Sequence, residues 1–598
     1  MTALLLGAVA VTAAACGSNA SAQGQPTTTS VTAQGGTLTV GVDQAATGCN
    51  PNTAAGATAA NQLALAPVLP SAFTISNTGQ SVINSALLVG AEVIDIKPQT
   101  VVYTINPKAV WSDGVPITAA DFIYAWQQQN GGNADAAYPS GNQASILGYS
   151  DIASMKASNR GRTVTVVFST PFADWQMLFA NLLPAHVMEK VGWDPACHTV
   201  DPAIDVSGGP FKIASVTDGG AVINYAANPR WWGQTPLLDG LVLKTASSPS
   251  QLASWLAQGS AQVVLPSSFD ASFLDRVSSL RTAQSEVDVS ATFLQLAFSQ
   301  TSPVLDTLGI REAVAHSVDR QALVDQVVGW ADLAIVPSAS HLYVQNQNAY
   351  PGPLPAPLNQ WPTTTTTTAP PSATTPAVFP STADLDAAAK LFTAAGFTRT
   401  IEGTWVGADG APFTVRLVVD TGDAWAATTG DLLVRQLEHA GITVTTTTAP
   451  TMAAAGAELA AGGADLALIP TTTSPYPSRT STWYTPVAGP PGPGGSTDWT
   501  NNDDPTLNNI FAQASTELNP VTAVPIYAQA DQQLWNTMVS LPLFAEPTVL
   551  AWSLATTGIT PNPHSPAGLF WLTQTWGVMV SVPISAPSTT VVVGARTS

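Results

Sequence analysis

Charge is what this sequence has least of. Asp, Glu, Lys and Arg make up 10% of its 598 residues, against roughly a quarter in an ordinary soluble domain. The bases are scarcer still, 19 against 39 acids, for a net −20. With few bases and no basic cluster, the chain is a poor partner for a polyphosphate, which argues against nucleic acid. Hydrophobic residues reach 45%, so a packed core is affordable and a disordered polyampholyte is excluded. The surface must then be covered by uncharged side chains. That composition favours neutral or amphiphilic partners over strongly charged ones.

Reaction motifs are missing too. There is no G-x-S-x-G, no S-x-x-K, no G-x-x-x-x-G-K-[ST] and no H-E-x-x-H. His186, His198, His316, His341, His439 and His564 are scattered without metal-ligand spacing. Asp498, Asn501, Asn502, Asp503 and Asp504 form an oxygen-rich loop, but EF-hand spacing and its Gly are absent, so a solvated turn is expected. The sequence predicts no enzyme, no metal and no cofactor.

No apolar run reaches the roughly 20 residues that span a bilayer. Residues 3–15 are apolar, end in small residues and read as a secretion signal. Cys16 follows three alanines, which resembles the bacterial lipobox, whose Cys is lipidated and heads the mature protein. Residues 17–36 then read as a flexible tether. Lipidation of Cys16 leaves Cys49 and Cys197. In an oxidising compartment they are a candidate disulfide, the alternative being two buried thiols.

Periodicity gives the organisation. Strands are expected at 36–42, 100–106, 163–168, 221–225, 240–244, 294–298, 413–419, 442–446 and 465–469. Thr118 and Asp121 frame a capping box before an apolar run, and Ser381 and Asp384 another. Helices are expected at 307–328, 428–440 and 521–540, with helical spacing over 173–190 broken by Pro184. Alternating strands and helices predict an α/β protein. A Thr/Pro tract at 362–380 cannot pack a core and reads as a mobile surface loop.

The stretch 102–126, VYTINPKAVWSDGVPITAADFIYAW, resembles the signature of the family 5 extracellular solute-binding proteins, the peptide, oligopeptide and nickel receptors of ABC importers. Trp111, Asp113, Gly114, Pro116, Thr118, Ala119, Asp121 and Phe122 match in order. Gly208-Gly209-Pro210-Phe211, the turn 228–233, the segment 310–320 and the blocks 387–397 and 436–444 resemble later family segments, also in order.

The resemblance implies a two-lobed periplasmic-binding-protein-like fold, type II and cluster C-like, with an extra subdomain. Lobe I would be 37–70, 200–290 and 500–598, its subdomain 71–199, and lobe II 291–499. It further implies a monomer, lipid-anchored on the outer face of the cytoplasmic membrane, that captures a peptide-like or other small organic ligand for an ABC permease. Loops after strands gather the ligand in this architecture, so Ser71, Phe73, Trp425, Tyr476, Trp483 and Tyr484 are the candidate ligand residues. Trp425→Ala is expected to weaken binding without unfolding the protein. Peptide-binding members commonly carry A-D-Y-x-D-P after the strand ending at Ile469. Residues 470–476 here hold no carboxylate. The segments 68–73 and 182–186 and the Thr/Pro tract also resemble an actinobacterial lipoprotein branch linked to phosphatidylinositol-mannoside synthesis. That suggests a second role, in binding or regulating envelope glycolipid.

Overall fold

The computed structural model describes residues 28–132, 143–194, 206–329, 335–344, 381–485 and 498–583. Cys16, Cys197, His198 and the Thr/Pro tract lie outside them.

One ten-stranded sheet runs through the molecule. In spatial order its strands are Thr443–Ala449, Thr414–Asp420, Leu466–Thr472, Ala283–Phe298, Ser540–Ser553, Val263–Leu265, Thr37–Val42, Gly240–Thr245, Val222–Ala227 and Phe211–Thr217. Each half has parallel neighbours joined through helices. In one half Thr414–Asp420 lies parallel to both Thr443–Ala449 and Leu466–Thr472. In the other, Thr37–Val42 lies parallel to Gly240–Thr245 and Val263–Leu265. Leu466–Thr472 and Val263–Leu265 are largely buried, as expected where helices cover a sheet, whereas the edge strand Thr443–Ala449 is mostly exposed threonine.

The two halves are joined by the longest strands, Ala283–Phe298 and Ser540–Ser553, which pair antiparallel. Residues 283–289 pair with 547–553 on one side, and 293–297 with 540–545 on the other. Between them the register breaks, so Ser290, Ala291 and Thr292 oppose Glu546. An irregularity of this kind bends paired strands, and here it falls where one lobe gives way to the other. The breaks fall at residues 290–292 on one strand and at Glu546 on the other. Helices Pro505–Thr516 and Pro520–Thr537 pack with Leu342, Tyr343 and Tyr484 of lobe II, and the last helix feeds the lobe II half of Ser540–Ser553. Residues 505–545 are therefore packed and paired with segments expected in lobe II, although the sequence reading places them in lobe I.

The subdomain is a separate four-stranded antiparallel sheet, Leu88–Ile96, Gln99–Ile105, Thr163–Phe168 and Ile152–Ser158. The strand Gln99–Ile105 alternates buried and half-buried residues along its length, as a one-sided core requires. The family-like signature folds against this sheet. Asp121 Oδ2 accepts the Thr118 amide at 2.8 Å, closing the expected capping box of helix Ala119–Gln129. Its Oδ1 accepts from the Trp111 indole and from the Ala185 amide. One carboxylate thus joins the turn, this helix and helix Ala185–Val191. Asp113 meets His186 Nε2 at 2.7 Å. Gly209 lies so close to Pro67 that a Cβ would sit 2.2 Å from the Pro67 carbonyl oxygen.

Three local expectations are corrected. The helix expected over 307–328 is two, Leu308–His316 and Arg320–Val327, because Asp319 turns from the chain and caps the second through the Ala322 amide. In 173–190 only Ala185–Val191 is α-helical; Phe179 and Asn181 take positive φ upstream of Pro184. The expected tether is not free throughout, since Thr28–Ala33 pairs antiparallel with the strand Gly577–Pro583.

Candidate ligand-binding cleft

The loop after strand Leu466–Thr472 carries side-chain contacts between lobe II and the subdomain. Thr473 anchors it, its amide and hydroxyl both donating to the Ala291 carbonyl at the register break. Beyond it the Tyr476 hydroxyl donates to Ser81 Oγ at 2.8 Å and to the Gln176 carbonyl at 3.3 Å. The Ser478 amide donates to Asp174 Oδ2 at 2.8 Å, and Ser478 Oγ meets the Tyr527 hydroxyl at 3.0 Å. Residues 81 and 174–176 belong to the subdomain, so the lobes are in contact along this seam.

The six candidate residues fall into different places. Tyr476 is at the seam itself. Phe73 stands behind it, edge-on to Trp175 at 5.4 Å. Ser71 Oγ accepts the Asn181 amide and holds the backbone of the subdomain. Trp483 is half-buried and packs edge-on against Trp499. Tyr484 is buried, its hydroxyl donating to Gln295 Oε1 and the His341 carbonyl. Trp425 is only 3% exposed and sits in the main core, edge-on to Phe269 at 5.5 Å and to Phe544 at 5.3 Å. A ring so enclosed packs the core, so Trp425→Ala is expected to cost stability as well as any effect on binding. Cys49 is engaged in a disulfide; its expected partner Cys197 lies outside the described residues.

The site also gathers ionisable groups that no sequence pattern marks. Asp174 is half-buried, and loss of hydration pushes its carboxyl up to about 6, against the lowering effect of its bonds from Ser478. Tyr343, Tyr476 and Tyr527 all feel its charge, and burial raises each of these phenols. Arg479 follows Ser478 on the short helix Pro477–Ser481; its side chain is exposed, yet desolvation lowers its pKa. At the crossing, Glu546 is buried. Desolvation drives its carboxyl well above the ordinary range, the Asp423 charge adds to this, and the Phe269 amide at 3.3 Å opposes it. Asp174 and Arg479 stand alone in sequence among neutral residues, so neither shows a spacing that could have found it.

Among the described residues no group of three or more His, Cys, Asp or Glu side chains is placed to hold a metal ion. No described helix is long and apolar enough to cross a membrane. The seam offers phenols and one carboxylate between two lobes joined by two strands, with Arg479 exposed on the helix beside it. Such a set can bind and enclose a solute.

Comparison with known proteins agrees with this geometry. A model of the bacterial extracellular solute-binding proteins, family 5, middle region, matches residues 86–490. A probable monoacyl phosphatidylinositol tetramannoside-binding protein, LpqW of Mycobacterium tuberculosis, is 31% identical over 293 residues, 47% of this chain and 44% of its own. The oligopeptide-binding protein OppA of Mycobacterium bovis is 27% identical over 292 residues, 47% of each. The alignments therefore span less than half the length of these relatives. Among solved structures, the periplasmic EDTA-binding protein EppA superposes with a TM-score of 0.79 at 25% identity, covering 92% of this chain and 97% of its own. AppA of Bacillus subtilis, solved with a nonapeptide, superposes at 0.68 and 14% identity, over 92% of this chain and all of its own. That likeness shows the fold alone.

Proposed function

Because the chain belongs to the family 5 bacterial extracellular solute-binding proteins, we propose that it captures a small organic or peptide-like ligand between its lobes and presents it to an ABC permease. The observation that carries this reading is the pairing of a two-strand crossing, broken in register at residues 290–292 and 546, with a seam of side-chain bonds at Tyr476 and Ser478. A bend at the first lets the second open and close. Closure removes the ligand from water and strengthens every polar contact made to it. No covalent step is needed for this task.

In this reading the chain is a monomer anchored through a lipid on Cys16 at the outer face of the cytoplasmic membrane. Mycobacterial lipoproteins of undescribed role are among its relatives, one of them 29% identical over 242 residues. Phe73 and Tyr476 flank the ligand, while Trp425 and Tyr484 support the walls from behind. Trp483 and Ser71 remain candidates at the edge.

A second reading has its own observation. The 31% identity to a probable phosphatidylinositol-tetramannoside-binding protein favours an envelope lipoprotein that binds or regulates glycolipid on the same scaffold. Mass spectrometry of the molecule that co-purifies with the full chain separates the two. A peptide or other water-soluble solute supports the receptor, and a mannosylated lipid supports the second reading. Turnover of a peptide or ester library would overturn both.

A further inference from the structure

Five acids are buried among the described residues: Asp121, Asp420, Asp465, Asp531 and Glu546. Four of them have donors close by. Asp121 accepts from Thr118, Trp111 and Ala185, Asp465 pairs with Arg416, and Asp531 takes both the amide and the ring of His341. Asp420 accepts the Gly422 amide at 2.9 Å within its own turn. Glu546 accepts the Phe269 amide at 3.3 Å and meets no base among the described residues. An ionised carboxylate in such a place is costly, and a proton removes the cost.

The place is the crossing between the lobes. Glu546 opposes Ser290, Ala291 and Thr292 at the register break, and the Ala291 carbonyl anchors the seam loop through Thr473. The carboxyl is covered from both lobes. Lobe I supplies Phe269, in the loop after strand Val263–Leu265, and lobe II supplies Asp423 and Trp425 at the start of helix Ala424–His439. The two coverings meet ring to ring, Phe269 edge-on to Trp425 at 5.5 Å. Parting the lobes at this crossing separates those rings and admits water to the carboxyl.

The charged groups on the surrounding elements are mostly acids. On the lobe II side Asp423 acts on Glu546, and Asp420 acts on Asp423. On the lobe I side Asp270 follows Phe269, and Asp43 accepts the Ser267 amide. Asp288 pairs with Thr548 on the neighbouring strand. His564 follows Pro563, whose carbonyl takes the Ala291 amide; burial lowers its pKa and favours the neutral ring. Arg320 gives donors to the Ser338 and Pro542 carbonyls. These acids disfavour a further negative charge at Glu546.

We propose that closing the lobes takes up a proton at Glu546, so that acid favours the closed, ligand-holding form and alkali the open one. The proposal rests on reading the crossing as the hinge of ligand capture. Closed, the neutral carboxyl sits beneath Phe269 and Trp425; open, the carboxylate regains water. The closed form therefore binds the proton more tightly, and the closed form is lost as pH rises from the ordinary Glu range through the raised value.

The test uses the full chain, dialysed free of any co-purifying molecule and spin-labelled on the subdomain and on lobe II. Distances are measured from pH 5 to pH 8. In wild type the ratio of short to long distances should fall with pH, by up to about tenfold per pH unit for one proton. Glu546→Gln, which keeps an acceptor for the Phe269 amide, should hold the low-pH ratio throughout. Asp423→Asn still caps its helix through the Ala426 amide but removes the neighbouring charge. It should move the transition to lower pH, and it keeps the test open if Glu546→Gln does not fold. A ratio independent of pH in wild type, the wild-type pH dependence retained in Glu546→Gln, or an unmoved transition in Asp423→Asn overturns the proposal. A distance that lengthens on dialysis yet ignores pH sinks the proton coupling alone. One distance in every state sinks the underlying reading as well.

Discussion

Glu546 is a carboxyl buried at the point where the lobes join, and its pKa is raised in the folded state by desolvation and by Asp423. A raised carboxyl binds its proton more tightly folded than unfolded. Folding therefore takes up a proton, and stability falls as pH rises from the ordinary Glu range through the raised value. Glu546→Gln keeps an acceptor for the Phe269 amide and removes the ionisation. Urea unfolding should find the variant close to wild type at pH 5 and more stable at pH 8; an unchanged pH slope would count against the assignment. Trp425 gives a second residue-level forecast. Its indole N–H is buried without a hydrogen-bond partner among the described residues. Trp425→Phe, which deletes that donor and keeps a ring against Phe269 and Phe544, should change stability by less than about 1.5 kcal/mol. Trp425→Ala should cost about 3–5 kcal/mol by leaving a cavity. Chemical denaturation measures both. A small loss in the alanine variant would return Trp425 to the candidate ligand surface.

At the scale of elements, local signals were legible and distant ones were not. The capping box at Thr118 and Asp121 was readable because both partners lie within one turn. Thr118→Ala should cost about 1 kcal/mol, read as a lowered urea midpoint with an unchanged slope. The strand seen at 294–298 is only the end of a sixteen-residue strand. Its first half, from Ala283, is polar and half-buried, and gains its structure from pairing with Ser540–Ser553, more than 240 residues away in sequence. Likewise, helical spacing over 307–328 runs through a break that only the Asp319 cap reveals. Tyr476 was readable as a candidate because it follows a strand. Asp174 and Arg479 were not, since each reaches the seam through folding of its own lobe and has no patterned neighbour.

For the molecule as a whole, low charge takes on a different meaning. Few ions are spread over the chain, and several of those near the lobe boundary are desolvated: Asp174, Arg479, Asp423 and Glu546. The family relation explains the scaffold, and in the proposed function the seam is what fastens closure. The central claim is that two lobes close on a solute about the crossing at residues 290–292 and 546. Its most direct test is the distance between spin labels placed on the subdomain and on lobe II, measured with the co-purifying molecule bound and after its removal. The account predicts a single short distance when bound and a longer, broader one after removal, with Tyr476→Phe shifting the balance toward the longer. One unchanged distance in both states would contradict it.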